Sequence, residues 1–246
     1  MYNYILFDLD GTLTDPKIGI TSSVQYALQK FGIEEPNRDK LEPFIGPPLL
    51  DSFKEFYGFD DEKAKQAIDY YRERFSTVGL FENEVYPGIP QMLEKLQKAG
   101  RHLAVASSKP TVFVMRILEH FGICQYFEVI VGSELDGTRV KKEEVVEEAL
   151  RQLLAGSNEE NAISEDVKTS MTDKVSGCTE QNAAEIKCRK DVVMVGDRKY
   201  DIEGAKAYQI TSVGVTYGYA AEGELETAGA NVVVETVEDL EKVLKG

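Results

Sequence analysis

Residues 4–12 read Tyr-Ile-Leu-Phe-Asp-Leu-Asp-Gly-Thr, an apolar run that ends in two carboxylates one residue apart and then a glycine. Such a run, with no polar alternation, is the pattern of a strand covered on both faces, as strands of parallel sheets are. Asp8 and Asp10 then fall at the carboxyl end of the strand, where open α/β sheets place their ligand sites. Side chains alternate along a strand, so continued extension points both carboxylates the same way and turns Leu9 into the protein. Two carboxylates so close repel each other unless a cation lies between them. A hard divalent ion, Mg²⁺, suits a site made of oxygen ligands with no His or Cys nearby. An acidic turn in which Asp10-Gly11-Thr12 merely ends the strand is the competing reading of this segment.

Downstream, the hydrophobic period changes. Ile20, Val24, Ala27, Leu28 and Phe31 share one helical face that Gly32 ends. Two more amphipathic pieces follow, one through Leu49, Phe53, Phe56 and Tyr57, the other through Ala64, Ala67, Ile68, Tyr71 and Phe75. A proline-stiffened loop, 43–48, separates the first of these from the opening helix. Nothing in 15–84 reads as a strand, which predicts a small all-α cap inserted into a core made of 1–14 and 85–246. Strands are expected at 102–106, 127–131, 192–195, 212–215 and 232–234, with helical faces between them. This alternation predicts an α/β fold, a Rossmann-like parallel sheet with helices on both faces. The polar stretch 155–187 interrupts the pattern as an insertion with too few apolar residues for a core.

Composition closes several routes. A net charge of −15 over 246 residues argues against binding nucleic acid through its phosphates, which requires a basic face. No apolar run is long enough to span a bilayer, and Met1 is followed almost at once by a core strand. The expectation is therefore a cytoplasmic protein without membrane contact. Cys124, Cys178 and Cys188 lack metal-site spacing and read as reduced thiols. Any His-dependent nucleophile would have to use His102 or His120, both of which read as structural.

The carboxyl ends of four strands thus offer Asp8 with Asp10, Ser107 with Ser108, the pair Lys141-Lys142, and Asp197 with Asp201. Carboxylates, a lysine and a hydroxyl from separate strands make sense together as a metal-assisted phosphoryl site. No G-x-x-x-x-G-K-[ST] occurs, so this is not a nucleoside-triphosphate P-loop.

With these motifs in this order, the chain resembles the haloacid dehalogenase-like phosphatases, in particular the phosphoglycolate phosphatase-like branch with an inserted helical cap. The resemblance implies that Asp8 is the nucleophile that becomes an aspartyl-phosphate. It implies that Asp10 protonates the leaving alcohol and then activates water. Ser107 and Lys142 would hold the phosphoryl group, with Gly11, Thr12 and Ser108 beside them. Mg²⁺ would sit on Asp8, the backbone carbonyl of Asp10 and Asp197, with Asp201 an outer ligand or anchor. Phe44 and Gly46 of the cap loop are the candidates for reading the leaving group. The expected partner is a small phosphorylated metabolite, taken in a phosphoglycolate phosphatase-like or 5'-nucleotidase-like manner by a monomer or homodimer. Asp10 argues against a dehalogenase; a mutase and a non-turnover phospho-acceptor or ligand sensor of the same fold are the alternatives.

The direction of the chain generates one test. In a parallel sheet each helix returns the chain to the amino edge, so 155–187 lies opposite the chemistry, and closing a long loop adds little entropy. Replacing 155–187 by a short Gly-Asn linker is expected to leave turnover within a few-fold of the parent. A folded but inactive variant would show that the insertion reaches the site.

Overall fold

The structure, a computed structural model, describes residues 1–162 and 190–246, with backbone alone over 156–162. Its centre is β1 (Tyr4–Phe7), which pairs in parallel with β4 (His102–Pro110) on one side and β6 (Val192–Gly196) on the other. The complete sheet has six parallel strands in the order β5-β4-β1-β6-β7-β8, the outer ones being β5 (Val129–Ser133), β7 (Thr211–Val215) and β8 (Val232–Val234). From β1 the chain first builds outward through β4 and β5, then crosses to the far side for β6, β7 and β8. That reversal beside β1 is the switch point at which helices diverge to opposite faces and leave a crevice.

β1 shows the two faces residue by residue. Ile5 and Phe7 pack into one cluster with α4 (Ile89–Lys98), α5 (Thr111–His120) and α9 (Val237–Lys245). Tyr4 and Leu6 pack into a second with α6 (Lys142–Ala162) and α7 (Lys199–Ala207). With both faces covered, every residue of the strand is buried, which is why its sequence is unbroken by polar positions. A short α8 (Glu224–Ala228) follows β7.

Between β2 (Thr14–Asp15) and β3 (Glu84–Val85), which pair antiparallel, lie only helices: α1 (Lys17–Gln29), α2 (Leu49–Tyr57) and α3 (Asp61–Arg74), with shorter helical turns. This inserted unit has an aromatic interior. Phe53 is stacked on Phe59 at 5.9 Å and meets Phe44 edge-on at 5.0 Å. Asp60 caps α3 by accepting the Lys63 N–H at 2.8 Å. α3 then widens into a π turn, Phe75–Gly79.

The sequence reading put no strand in 15–84, whereas Asp15 and Glu84 belong to the paired strands β2 and β3, two residues each and too short to show a period; the other differences concern boundaries. β4 runs to Pro110 rather than 106, β5 lies at Val129–Ser133 rather than 127–131, and α6 continues to Ala162, into the stretch read as an insertion. Helix propensity in Ala-Gly-Ser-Asn-Glu-Glu-Asn-Ala is modest, so periodicity alone ends the helix early there. The rest of 155–187 lies outside the described residues. α6 leaves the carboxyl edge at Lys142 and β6 re-enters at the amino edge, where Val192 pairs with Tyr4. Among the described residues no helix is long and apolar enough to cross a membrane. Cys124 is free, while Cys178 and Cys188 lie outside the described residues. His102 stacks on Tyr4 and its Nδ1 meets Glu128 at 3.0 Å; His120 packs on Phe81. Neither imidazole approaches the carboxylates of the crevice.

Phe53 is fully buried in the inserted unit. Phe53→Ala is expected to cost about 3–5 kcal/mol, as large-to-small changes in packed cores do. Urea unfolding followed by circular dichroism measures it, and a loss under 1 kcal/mol would mean that these rings do not form a packed core.

Candidate active site

The parallel register brings the motif residues together. Phe7 lies level with Val105 of β4 and Val195 of β6, so the residues just past each strand end emerge side by side. One oxygen each from Asp8, Asp197 and Asp201 lies within 4.8 Å of the others, and all three residues are buried. Lys142, from the first turn of α6, reaches this cluster. Its Nζ donates to Asp8 Oδ1 at 2.7 Å and to the Ala106 carbonyl at 2.9 Å, and pairs with Asp201 Oδ1 at 2.7 Å. Lys141 instead turns outward, exposed, 3.9 Å from Glu143. Helical geometry separates the two: neighbouring residues of a helix start point about 100° apart.

Asp201 sits in the first turn of α7, where its Oδ2 accepts the Arg198 N–H at 3.0 Å. This places it inside the acidic cluster rather than behind it. Gly11 adopts φ +80°, and a Cβ there would overlap Asp197 Oδ2. Only glycine allows the turn after β1 to close against that carboxylate. Thr12, read as a phosphate contact, is fully buried, and its hydroxyl faces Asp197 Oδ1 at 3.5 Å. Ser107 is buried, with its Oγ accepting the Lys109 N–H at 3.4 Å, and Ser108 lines the open crevice.

Two contributors escaped the sequence reading. Lys109, next to the two serines, is buried with its Nζ 2.5 Å from Asp10 Oδ2 and 4.7 Å from the centre of the Phe75 ring. Phe75 opens the π turn of the inserted unit, a local widening often found at functional sites. The Ser-Ser-Lys-Pro run carried the signal: a lysine two residues past a strand-end serine shares its side of an extended chain. The second contributor is the loop 217–219. Tyr219 N–H donates to Asp197 Oδ2 at 2.8 Å, Tyr219 Oη donates to Asp15, and Tyr217 Oη donates to the Thr12 carbonyl at 3.0 Å. Its aromatics stood too far from any motif in sequence to be linked with one.

Burial dominates the electrostatics. It is the largest cause raising the Asp10 carboxyl above its ordinary value, against the opposing charge of Lys109. Burial, then the charges of Asp201 and Asp8, lifts Asp197 well above the usual range. Asp201 is pushed up to about 6 by burial and Asp8, with Lys142 opposing. Burial pulls the Lys142 amine down, but Asp201 and Asp8 together outweigh it and hold it above the usual lysine value. Two lysines facing four carboxylates leave the site short of positive charge, and its donors are all oxygens. That set fits a hard divalent cation bound by Asp8, Asp197 and Asp201.

Above the cluster a cleft of about 430 Å³ separates the sheet from the inserted helices. Asp10, Lys109 and Ser108 form its floor, Tyr71 and Phe75 one wall, and Gly46 part of the rim. Phe44 lines it too, but its ring is locked against Phe53, Phe56 and Tyr57. A floor of a carboxylate, a lysine and a hydroxyl, beside the acidic cluster and under an apolar wall, can hold a phosphoryl group and exclude water.

Known proteins agree with this chemistry. The haloacid dehalogenase-like hydrolase family model matches residues 5–172, and a second, for HAD-hydrolase-like proteins, matches residues 165–240. The chain belongs to the haloacid dehalogenase-like hydrolase family. It is a phosphatase of that family, whose members generally use a divalent metal. A 5'-nucleotidase of Pseudomonas aeruginosa is 46% identical over 224 residues, covering 91% of this chain and 87% of that protein. The tyrosine-protein kinase PtkA of Mycobacterium tuberculosis is 35% identical, over 98% of this chain and 72% of its own length. The crystal structure of a predicted phosphatase from Clostridium acetobutylicum superposes with a TM-score of 0.83 at 45% identity, covering 100% of this chain and 99% of that one.

Folding raises the affinity of Asp10, Asp197 and Asp201 for protons, so their contribution to stability falls as pH rises from about 4 through 6 and beyond. A bound cation supplies the missing charge where the protons have left. A divalent cation is therefore expected to raise Tm more at pH 8 than at pH 5, by differential scanning calorimetry. Equal increments at both pH values would mean that the cation binds elsewhere.

Proposed function

We propose that this phosphatase hydrolyses a small phosphomonoester through an aspartyl-phosphate on Asp8, with Mg²⁺ on Asp8, Asp197 and Asp201, and with residues 15–84 as its cap. The observation that supports this best is the convergence of Asp8, Asp197 and Asp201 within 4.8 Å beside Lys142, under a cleft that Asp10 lines. Mg²⁺ would neutralise the repulsion between carboxylates and phosphate and polarise the phosphoryl group.

A carboxylate oxygen of Asp8 attacks phosphorus as the bond to the leaving oxygen breaks. Asp10, kept protonated more readily by burial, gives its proton to that oxygen. The alcohol departs with the former Asp10 proton. Asp10, now a carboxylate, takes a proton from water, whose oxygen attacks phosphorus and breaks the bond to Asp8. Phosphate leaves, and both aspartates return to their starting states. Lys142 holds Asp8 in line, and Ser107 supplies a hydroxyl for a phosphoryl oxygen.

The leaving group is of nucleoside type. The cleft of about 430 Å³ is mostly apolar beyond its floor, backed by the mutually packed rings of Tyr71, Phe75 and Phe113 and with Arg72 in its lining, which leaves room for a leaving group the size of a nucleoside. The 46% identity to a 5'-nucleotidase supports the same choice over phosphoglycolate.

A panel of nucleoside monophosphates, phosphoglycolate and sugar phosphates, assayed for phosphate release with Mg²⁺ and with EDTA, tests the reading. Asp8→Asn is expected to fall to background. Asp10→Asn should lose about 10²–10⁴ on alkyl leaving groups and far less on nitrophenyl phosphate, whose leaving group needs no proton. Equal losses on both would remove Asp10 from the acid-base role, and a retained tenth of wild-type turnover in Asp8→Asn would remove Asp8 as nucleophile.

A further inference from the structure

Arg198 follows Asp197 directly, yet its side chain neither enters the acidic cluster nor lines the cleft. Its backbone N–H is held by Asp201 Oδ2 at 3.0 Å, so the main chain is fixed between two carboxylates of the cluster. The guanidinium crosses to the inserted unit, where Nη1 donates to the Ile45 carbonyl. Nε donates to Glu224 Oε1 at 3.0 Å. Glu224 is itself anchored, accepting the Lys199 N–H at 2.8 Å and the Ala221 N–H at 3.0 Å. Although burial pushes the Glu224 carboxyl up, these N–H groups and Arg198 hold it below its ordinary value. The pair is largely buried, with side chains 13% and 12% exposed.

The cap loop is shaped to receive this side chain. Gly46 has φ +103°, and a Cβ on it would stand 2.8 Å from Arg198 Cγ. The stem of Arg198 thus lies where only glycine leaves room. Pro47 and Pro48 follow, and their fixed φ passes the position of Ile45 stiffly to Leu49 at the start of α2. Gly46, Pro47 and Pro48 all line the cleft.

We infer that Arg198 is a positioning residue: it latches the cap loop to the metal-binding loop, so that leaving-group selection depends on a contact made only when the cap is closed. Opening the cap breaks the bond to Ile45 while Glu224 keeps the guanidinium in place for the next closure. Arginine suits this task because its planar fork serves two acceptors in different directions at once, which a lysine cannot do. This rests on the phosphatase reading for its effect on rate, but not for the contact itself.

The test has two arms. Hydrogen exchange by mass spectrometry on the full chain should show faster exchange across 43–50 in Arg198→Ala, with peptides of β1 and β6 unchanged. In kinetics, Arg198→Ala should lower kcat/KM for a nucleoside monophosphate about tenfold more than for phenyl phosphate, the scale of one hydrogen bond to a charged group. Most of that difference should appear in KM, and Arg198→Lys should not restore it. Glu224→Gln, which keeps the shape, should shift both readouts the same way by less. Gly46→Ala should be less damaging when combined with Arg198→Ala than alone, since the collision with Cγ is gone. Unchanged exchange across 43–50, equal losses on both substrates, or strictly additive effects at Gly46 and Arg198 would each overturn the latch. A wild-type protein without turnover would sink the phosphatase reading and leave the exchange arm to decide the latch.

Discussion

Four buried carboxylates face two buried lysines at one edge of a parallel sheet, and the rest of the architecture can be read as the means of holding them there. Taking so many charges out of water is expensive, and it is tolerated only where partners are fixed in place. Lys142 pairs ionically with both Asp8 and Asp201, Lys109 with Asp10, and the Tyr219 N–H donates to Asp197, while Asp10 Oδ1 and Asp201 Oδ1 keep no hydrogen-bond donor among the described residues. The remaining imbalance is negative. A divalent cation of the kind this family generally uses would offset that charge. The overall charge of −15 makes this local arrangement the more necessary.

The site is also divided by rigidity. Its floor is set by strand ends whose positions follow from backbone pairing, so Asp8 and Asp197 cannot shift without disturbing the sheet. Its wall belongs to a helical unit joined to the core by two strands of two residues each, β2 and β3. Tyr219 and Tyr217 secure the first of these through Asp15 and Thr12. Several cations span the gap above: Lys109 lies under the Phe75 ring, Arg198 meets the Ile45 carbonyl, Arg116 donates to the Ser76 carbonyl and Arg72 to the Leu135 carbonyl. A few such contacts of modest individual strength join the helical unit to the core.

Much was legible in the chain because it depends on short-range pattern. The uninterrupted apolar run before Asp8, the helical spacing through 17–79, and glycines at strand and helix ends each report a local backbone preference. Asp8, Asp10, Ser107, Asp197, Asp201 and the pair Lys141-Lys142 could be named because strand ends in a parallel sheet share one edge. Phe44 was read as facing a substrate, and it lines the cleft. What its neighbours in sequence could not show is that Phe53, Phe56 and Tyr57 hold its ring as part of a core.

The sequence by itself determined the six strands of the main sheet and the helices between them, their order, and which motif residues stand at the carboxyl edge, since each follows from periodicity over a few residues. Only the tertiary structure decided which charge meets which. That Lys142 and not Lys141 reaches Asp8, that Lys109 pairs with Asp10, and that Arg198 grips the cap loop all depend on distances between atoms 99 to 153 residues apart in the chain. Coulomb energy and hydrogen bonding act through space, and the chain carries no local mark of partners that only packing brings together.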